Sequence, residues 1–314
     1  MSDGMRGMTR RDFLWASGML FAGAVLSKPG ELMAASLAAL DVASAGAIAP
    51  MLRGPIKDAI AQKLQLDLRS HAQGADAVAK AIVEESLRAD VFIPITPGPM
   101  LTVMHAGKTA MARAFARTEM VLVYSPKSRF ATRFEAAAQG KANWWEILQE
   151  PGFRFARSNP AGDPGGRNIL FTMMLAAKKY NQADLVQKTL GTVINPAQIL
   201  QGGSNQERLH SGELDAVGSY KVGPGFEQLP YLALPSDINL SGQTVHEEHP
   251  DISLNLDGKT FYPEPLVFYA AVLNGAANAP GAAAFVDWLM GAEAQALLRH
   301  YAFDPAADAP TLRA

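Results

Sequence analysis

From Leu40 onward, short apolar runs alternate with amphipathic stretches. Residues 40–48 are apolar and close on small residues, as a short buried strand does. In residues 49–63, Met51, Leu52, Ile56 and Ile60, followed by Leu64, recur at three- and four-residue spacing and predict a helix. Leu64, Leu66 and Leu68 alternate, which predicts a second strand through Ser70, with His71-Ala72-Gln73-Gly74 as the turn that ends it. Residues 75–87 carry Ala75, Val78, Ala79, Ile82, Val83 and Leu87 on one helical face, and residues 89–95 predict a third strand. This β-α-β-α-β order predicts a parallel sheet flanked by helices. In such sheets ligands gather beyond the carboxyl ends of the strands, which places Ser44 to Ala47, Gln73 to Ala75 and Thr96 to Gly98 near one another.

The pattern continues with a strongly apolar strand at residues 120–125, a short helix at 143–148 and a strand at 152–156. Helices follow at 165–180, 183–190 and 205–211, then a strand at 213–220. Residues 236–262 are polar and predict loops with a hairpin. A late strand is expected at 265–273, two helices at 280–290 and 292–301, and a loose tail from Asp304. The sharpest local signal is Ser158-Asn159-Pro160-Ala161-Gly162-Asp163-Pro164-Gly165-Gly166-Arg167. Its two prolines and three glycines stop any regular element. Asp163 followed by Pro164 is a helix start, a carboxylate at the N-cap and a pre-set φ at the first helical position. Gly165 and Gly166 then predict first-turn amides open to a bound anion, or, more plainly, a well-capped turn.

Composition narrows the function. The chain has 314 residues, enough for two domains or one large one, with 48% hydrophobic and 18% charged residues, so it can bury a core. A net charge of −2 gives no basic excess to neutralise phosphates, which argues against nucleic acid as a partner. There is no cysteine, which excludes thiol nucleophiles, thiolate zinc sites and disulfides. His246-Glu247-Glu248-His249 has metal-ligand residue types, but its histidines are three apart in a polar loop, so no metal site is expected. No cofactor motif occurs, and no nucleophile–base pair stands out, so an enzyme is the least favoured reading. Thr9-Arg10-Arg11-Asp12-Phe13-Leu14 and the apolar run to Leu26 follow the twin-arginine export pattern, with the apolar run below the ~20 residues that span a bilayer. Residues 1–38 are therefore expected to be a signal peptide and the mature chain periplasmic.

The order of these segments resembles the extracytoplasmic solute-binding proteins of ABC importers, in their tungstate/molybdate-binding branch. The residues that carry this are Thr118 to Ser128, Asn143-Trp144-Trp145-Glu146-Ile147-Leu148, Phe155 to Gly165, Ser211 to Ala216 with Tyr220-Lys221, residues 234–240 and Glu264-Pro265-Leu266. The resemblance covers nearly all of the mature chain. It implies a type II periplasmic-binding fold of two α/β lobes, with parallel or mixed sheets flanked by helices and the ligand in the cleft. Lobe 1 would be residues 39–125 plus 264–314 and lobe 2 residues 126–263. It implies a monomer that takes a small anion and hands it to a membrane permease with its ATPase subunits. A small organic anion or a sensor role is the alternative.

That branch is expected to use two serines, an aspartate and a glutamate. Those positions fall on Ala47, Ala75, Asp163 and Ser219, so only the aspartate is kept and direct coordination by two carboxylates is not supported. The expected binding set is Ser44, Ala47, Gln73, Gly74, Ala75, Ser128, Asp163, Gly165, Gly166, Arg167, Ser219 and Tyr220. Arg167 would offset part of the anion's charge. A bare Asp163 carboxylate would repel each unit of negative charge by roughly 4 kcal/mol at about 4 Å with an effective dielectric near 20. Asp163 is therefore either a helix cap or the partner of a donor on the ligand.

Overall fold

The computed structural model describes residues 37–202, 204–223 and 228–314. The expected twin-arginine leader lies outside the described residues.

Two sheets organise the chain. The first has seven strands in the order β12-β4-β11-β3-β1-β2, with β13 also paired to β4. Here β1 is Ala38–Ala45, β2 Leu66–Gln73, β3 Val91–Ile93, β4 Met111–Arg117, β11 Val267–Val272, β12 Asp304–Pro305 and β13 Leu312–Arg313. Strand β1 runs parallel to both β2 and β3, as the β-α-β-α-β pattern requires, while β11 and β4 are antiparallel additions. The second sheet is β6-β7-β5-β8, built from β5 Met120–Tyr124, β6 Phe155–Ala156, β7 Ala216–Tyr220 and β8 Tyr231–Ala233. A hairpin of β9 Leu254–Leu256 and β10 Lys259–Phe261 stands apart from both.

Each sheet has its own apolar packing. Leu40, Val42, Ile56, Phe115, Phe268 and Phe285 bury on one face of the first sheet, and Val78, Phe92, Met100 and Tyr269 on the other. Leu122, Phe134, Trp144, Phe171 and Leu232 form the main cluster of the second. The chain passes between the sheets at Thr118-Glu119 and again before β11. These two passages touch, the Thr118 N–H donating to Leu266 O at 3.1 Å.

Several elements depart from the sequence pattern. The helix expected over 49–63 is two helices, α1 Ala49–Arg53 and α2 Pro55–Lys63, because Gly54 leaves the helical conformation and Pro55 has no N–H to continue the ladder. His71 to Gln73 are not a turn but the end of β2, held by pairing with β1. The helix that follows, α3, is Ala75–Val83 and stops short of Leu87. The strand at 120–124 hydrogen-bonds within the second sheet, although the expected boundary at 125 groups it with the first half. Neither α4 Pro97–His105 nor β4 stands out in the sequence pattern. The tail expected to be loose supplies β12 and β13, which satisfy backbone groups along β4. Pro305 can sit there because an edge strand tolerates a missing N–H.

Candidate functional site

The carboxyl ends of β1, β2 and β3 open on a cavity of about 220 Å³ lined by Ala45, Gly46, Ala47, Gln73, Gly74, Ala75, Ile95, Asp163, Pro164 and Tyr220. The floor comes from the first sheet, where Ala45 pairs with Gln73. The roof comes from the loop before α7 Pro164–Lys179 and from the end of β7. Of the expected binding set, Ala47, Gln73, Gly74, Ala75, Asp163 and Tyr220 meet at this cavity. The principle that ligands lie beyond parallel strand ends found most of the floor. It missed Ile95, which precedes the named segment Thr96 to Gly98; Gly46 lies within the named segment Ser44 to Ala47.

The donors on the floor are backbone amides. The 3-10 turn Gly46–Ile48 and helix α3 both start here, and neither has a side-chain cap. First-turn N–H groups have no acceptor inside their own helix, so those of Ala47 and Ala75 are available to an anion. Gly74 is the N-cap of α3, and a Cβ there would lie 2.6 Å from Gly162 O on the roof. Only glycine lets the two walls approach this closely.

The roof is built differently. Asp163 caps α7 with its own side chain, Oδ1 accepting from the Gly165 N–H at 2.8 Å. The Gly166 N–H donates to Asp163 O at 3.1 Å. The α7 amides expected to hold an anion are thus already engaged, and neither Gly165 nor Gly166 lines the cavity. Gly166 is instead a packing glycine, since a Cβ would lie 2.4 Å from Ser158 O. The Tyr220 hydroxyl accepts from Asn168 Nδ2 at 3.1 Å. Burial, and then the nearby Asp163 charge, hold this phenol well above its usual range, so the hydroxyl keeps its proton and can donate it.

Other expected residues lie elsewhere. Ser44 is fully buried within β1, its Oγ without a hydrogen-bond partner among the described residues, and it does not line the cavity. Ser128 is a structural hydroxyl. It donates to Asp215 Oδ1 at 2.7 Å and accepts from the Phe130 N–H. Burial pushes Asp215 up, but hydrogen bonds from Arg154 and Ser128 outweigh it and hold the carboxyl below its usual value. Ser219 lines an adjoining cavity of about 220 Å³ with Gln206, Val222 and Gly223, which shares Gly46, Ala47 and Tyr220 with the first.

Arg167 does not offset charge in the first cavity. Its guanidinium is ion-paired with Asp76, donates to Pro160 O at 3.0 Å and lies 4.2 Å from the Phe261 ring centroid. It lines a separate, larger cavity of about 520 Å³ behind the start of α7, with Glu264, Phe171, Tyr269 and His246. Burial raises Glu264 above the usual carboxylate range. Because Asp76 belongs to α3 and Arg167 to α7, their ion pair ties the two walls together, as does the Gly74–Gly162 approach. Among the described residues, no group of His, Asp and Glu has the arrangement to hold a metal ion, and no helix is long and apolar enough to cross a membrane.

Residues 40–304 match the family described as bacterial extracellular solute-binding protein. An uncharacterized solute-binding protein of Petrotoga mobilis is 27% identical over 239 residues, covering 74% of this chain and 73% of that protein. The molybdate/tungstate-binding protein WtpA of Pyrococcus abyssi is 25% identical over 257 residues, covering 75% and 74%. Among solved structures, the periplasmic molybdate-binding protein of Azotobacter vinelandii superposes with a TM-score of 0.53 at 18% identity, covering 84% of this chain and 98% of that one, a likeness of fold.

Proposed function

The chain belongs to the bacterial extracellular solute-binding proteins, and from that premise we propose that it captures a small oxyanion in the cavity between its two sheets and delivers it to an ABC permease. The observation that carries this reading is the floor of uncapped first-turn amides, at Ala47 and Ala75, facing a roof from the second sheet. Amide donors held by a rigid sheet stabilise an anion without placing a full positive charge in the site.

The two passages between the sheets supply a hinge, so residues 39–118 with 264–314 form one lobe and 119–263 the other. Ligand closes them by touching both, a hinge motion of the kind that periplasmic binding proteins use. The Asp76–Arg167 pair and the Gly74–Gly162 contact belong to the closed arrangement. The leader read from Arg10 and Arg11 directs export through the twin-arginine route, and the mature chain works as a periplasmic monomer.

The relatives named for molybdate and tungstate make those anions the first to try. Thermal denaturation of the purified protein with tungstate, molybdate, sulfate and phosphate, each at about 100 times its dissociation constant, should give roughly 2.7 kcal/mol of added stability for any true ligand. No stabilisation by any oxyanion would overturn the reading. The adjoining cavity beside Ser219 and Gln206 favours one alternative, an organic anion whose polar tail occupies that space. Stabilisation by carboxylates such as citrate or glutamate alone would select it.

A further inference from the structure

The larger cavity, about 520 Å³ behind the start of α7, shares only Pro164 with the anion cavity. Its walls are mostly apolar, with Leu101 of α4, Phe171 of α7, Phe261 of the hairpin, Pro263, Tyr269 of β11 and Leu312 of β13 among them. An apolar space of this size with a few polar groups has the form of a small-molecule site. The polar group that stands out is Glu264. The Thr96 hydroxyl and the Gly98 N–H donate to its carboxyl. A Cβ on Gly98 would lie 2.7 Å from one carboxyl oxygen, so the carboxyl is seated against the first turn of α4. Burial is nevertheless the strongest influence on its titration and raises it, so these two donors do not replace the lost water. Neither Arg167 nor Lys259 makes good the loss. Arg167 is ion-paired with Asp76, and at Glu264 the repulsion from Asp76 outweighs the pull of Arg167. Lys259 is exposed, its Nζ over Phe261 at 4.7 Å from the ring centroid. Arg167 lies 4.2 Å from the same centroid, so this ring already attracts cations. The buried Tyr269 brings a phenol to the cavity, near enough to be acted on by the Glu264 charge.

We propose that this cavity is a second ligand site, for a small organic cation: a primary amine on an aromatic or aliphatic body. The ammonium sits on the Glu264 carboxylate and the Tyr269 hydroxyl oxygen, and the body packs against Leu101, Phe171 and Phe261. An ammonium has three donors and no acceptor, so it can serve both oxygens at once. It supplies the positive charge that the buried carboxylate lacks, and a charged partner makes the stronger hydrogen bond. A neutral molecule of the same shape gains only the apolar burial. An anion meets the Glu264 charge and is repelled.

The test is calorimetric titration of the purified protein at pH 7.5 with phenethylamine and hexylamine, and with phenethyl alcohol and phenylacetate as the neutral and anionic counterparts. The amines are expected to bind at least ~10-fold more tightly than the alcohol, and phenylacetate not to bind. Glu264→Gln keeps the size of the side chain and can still accept from Thr96 and Gly98. In that variant the amines should fall to the level of the alcohol, with the alcohol unchanged. Leu101→Trp fills the cavity from α4 without altering the carboxyl, and should abolish binding of amine and alcohol alike. It keeps the inference testable if the glutamine variant fails to fold. No binding of either amine to the unaltered protein would overturn the inference, as would alcohol or acid binding as tightly as the amines. So would an amine affinity unchanged in either variant. The oxyanion titrations are a separate measurement on a separate cavity, so neither result decides the other.

Discussion

Two helix starts meet at the same cavity and are built in opposite ways. At α7 the cap is a side chain: Asp163 turns back onto Gly165, the Gly166 N–H goes to the Asp163 carbonyl, and the first turn satisfies itself. At α3 the cap is Gly74, which has no side chain to offer, and Ala75, the first residue of the helix, lines the cavity. The start that looks like an anion site by its residue types is closed, and the inconspicuous one is open. A helix terminus binds a ligand only when its own chain leaves the N–H groups free. A strong capping signal in a sequence therefore marks a well-satisfied helix, and an uncapped start beside a sheet edge is the better place to look.

Substitutions on either side can break this contrast. The largest effect is expected from Gly74→Ala, whose Cβ would press against Gly162 O at 2.6 Å. The walls cannot then close, and affinity for the bound anion should fall on the order of 100-fold, as misplacement by about 1 Å does, with an unchanged circular dichroism spectrum. Small-angle scattering with ligand present should show the variant no more compact than without it. An unaltered dissociation constant would mean that the approach at Gly74 does not matter for closure.

Arg167→Met removes the partner of Asp76 and the cation over Phe261. Urea unfolding should lose about 2 kcal/mol, less than for a fully buried pair because the Asp76 side chain is 34% exposed. Asp163→Ala should cost about 1 kcal/mol through loss of the α7 cap alone, whereas Asp163→Asn should cost a few tenths at most. Equal losses in the two variants would show that the carboxylate charge, not the cap, supports that helix.

A pH effect is expected from Glu264. Burial raises its folded-state pKa, so the folded protein holds this proton more tightly than the unfolded chain does. The resulting stability is complete at acid pH and erodes as pH rises from the usual carboxylate range toward the raised value. Glu264→Gln should remove that slope in unfolding experiments between about pH 4 and 7. The smallest effect is expected from Ser219→Ala, within about 0.5 kcal/mol, since its hydroxyl makes one long 3.4 Å contact to the Tyr220 carbonyl. Its anion affinity should also be unchanged, and a larger loss by calorimetry would bring the adjoining cavity into the binding site.

Much of the first sheet was legible because its strands and helices follow simple apolar spacing. β4 was not. Met111–Arg117 reads Met-Ala-Arg-Ala-Phe-Ala-Arg, and alanine and arginine carry little strand signal. It is a strand because β11, β12 and β13 all pair with it. The tail was misjudged for the same reason. Asp304-Pro305 and Leu312-Arg313 have no propensity to speak of, and they are ordered by open backbone groups along β4. At the site, Ser44, Ser128 and Arg167 have the right chemistry for an anion but the wrong surroundings. Ser44 is sealed inside the sheet, Ser128 serves Asp215, and Arg167 serves Asp76.

By itself, the sequence determined the alternation of elements, the parallel core of the first sheet, the capped start of α7 and the likeness to solute-binding proteins. These depend on near neighbours along the chain, where hydrophobic period and turn chemistry act directly. The tertiary structure decided which amides face the cavity, which charges are already paired, and that Asp163 stands there as the single ionised side chain among the described lining residues. Those outcomes depend on groups such as Asp76 and Arg167, 91 residues apart in the chain, that meet only once the two sheets have come together.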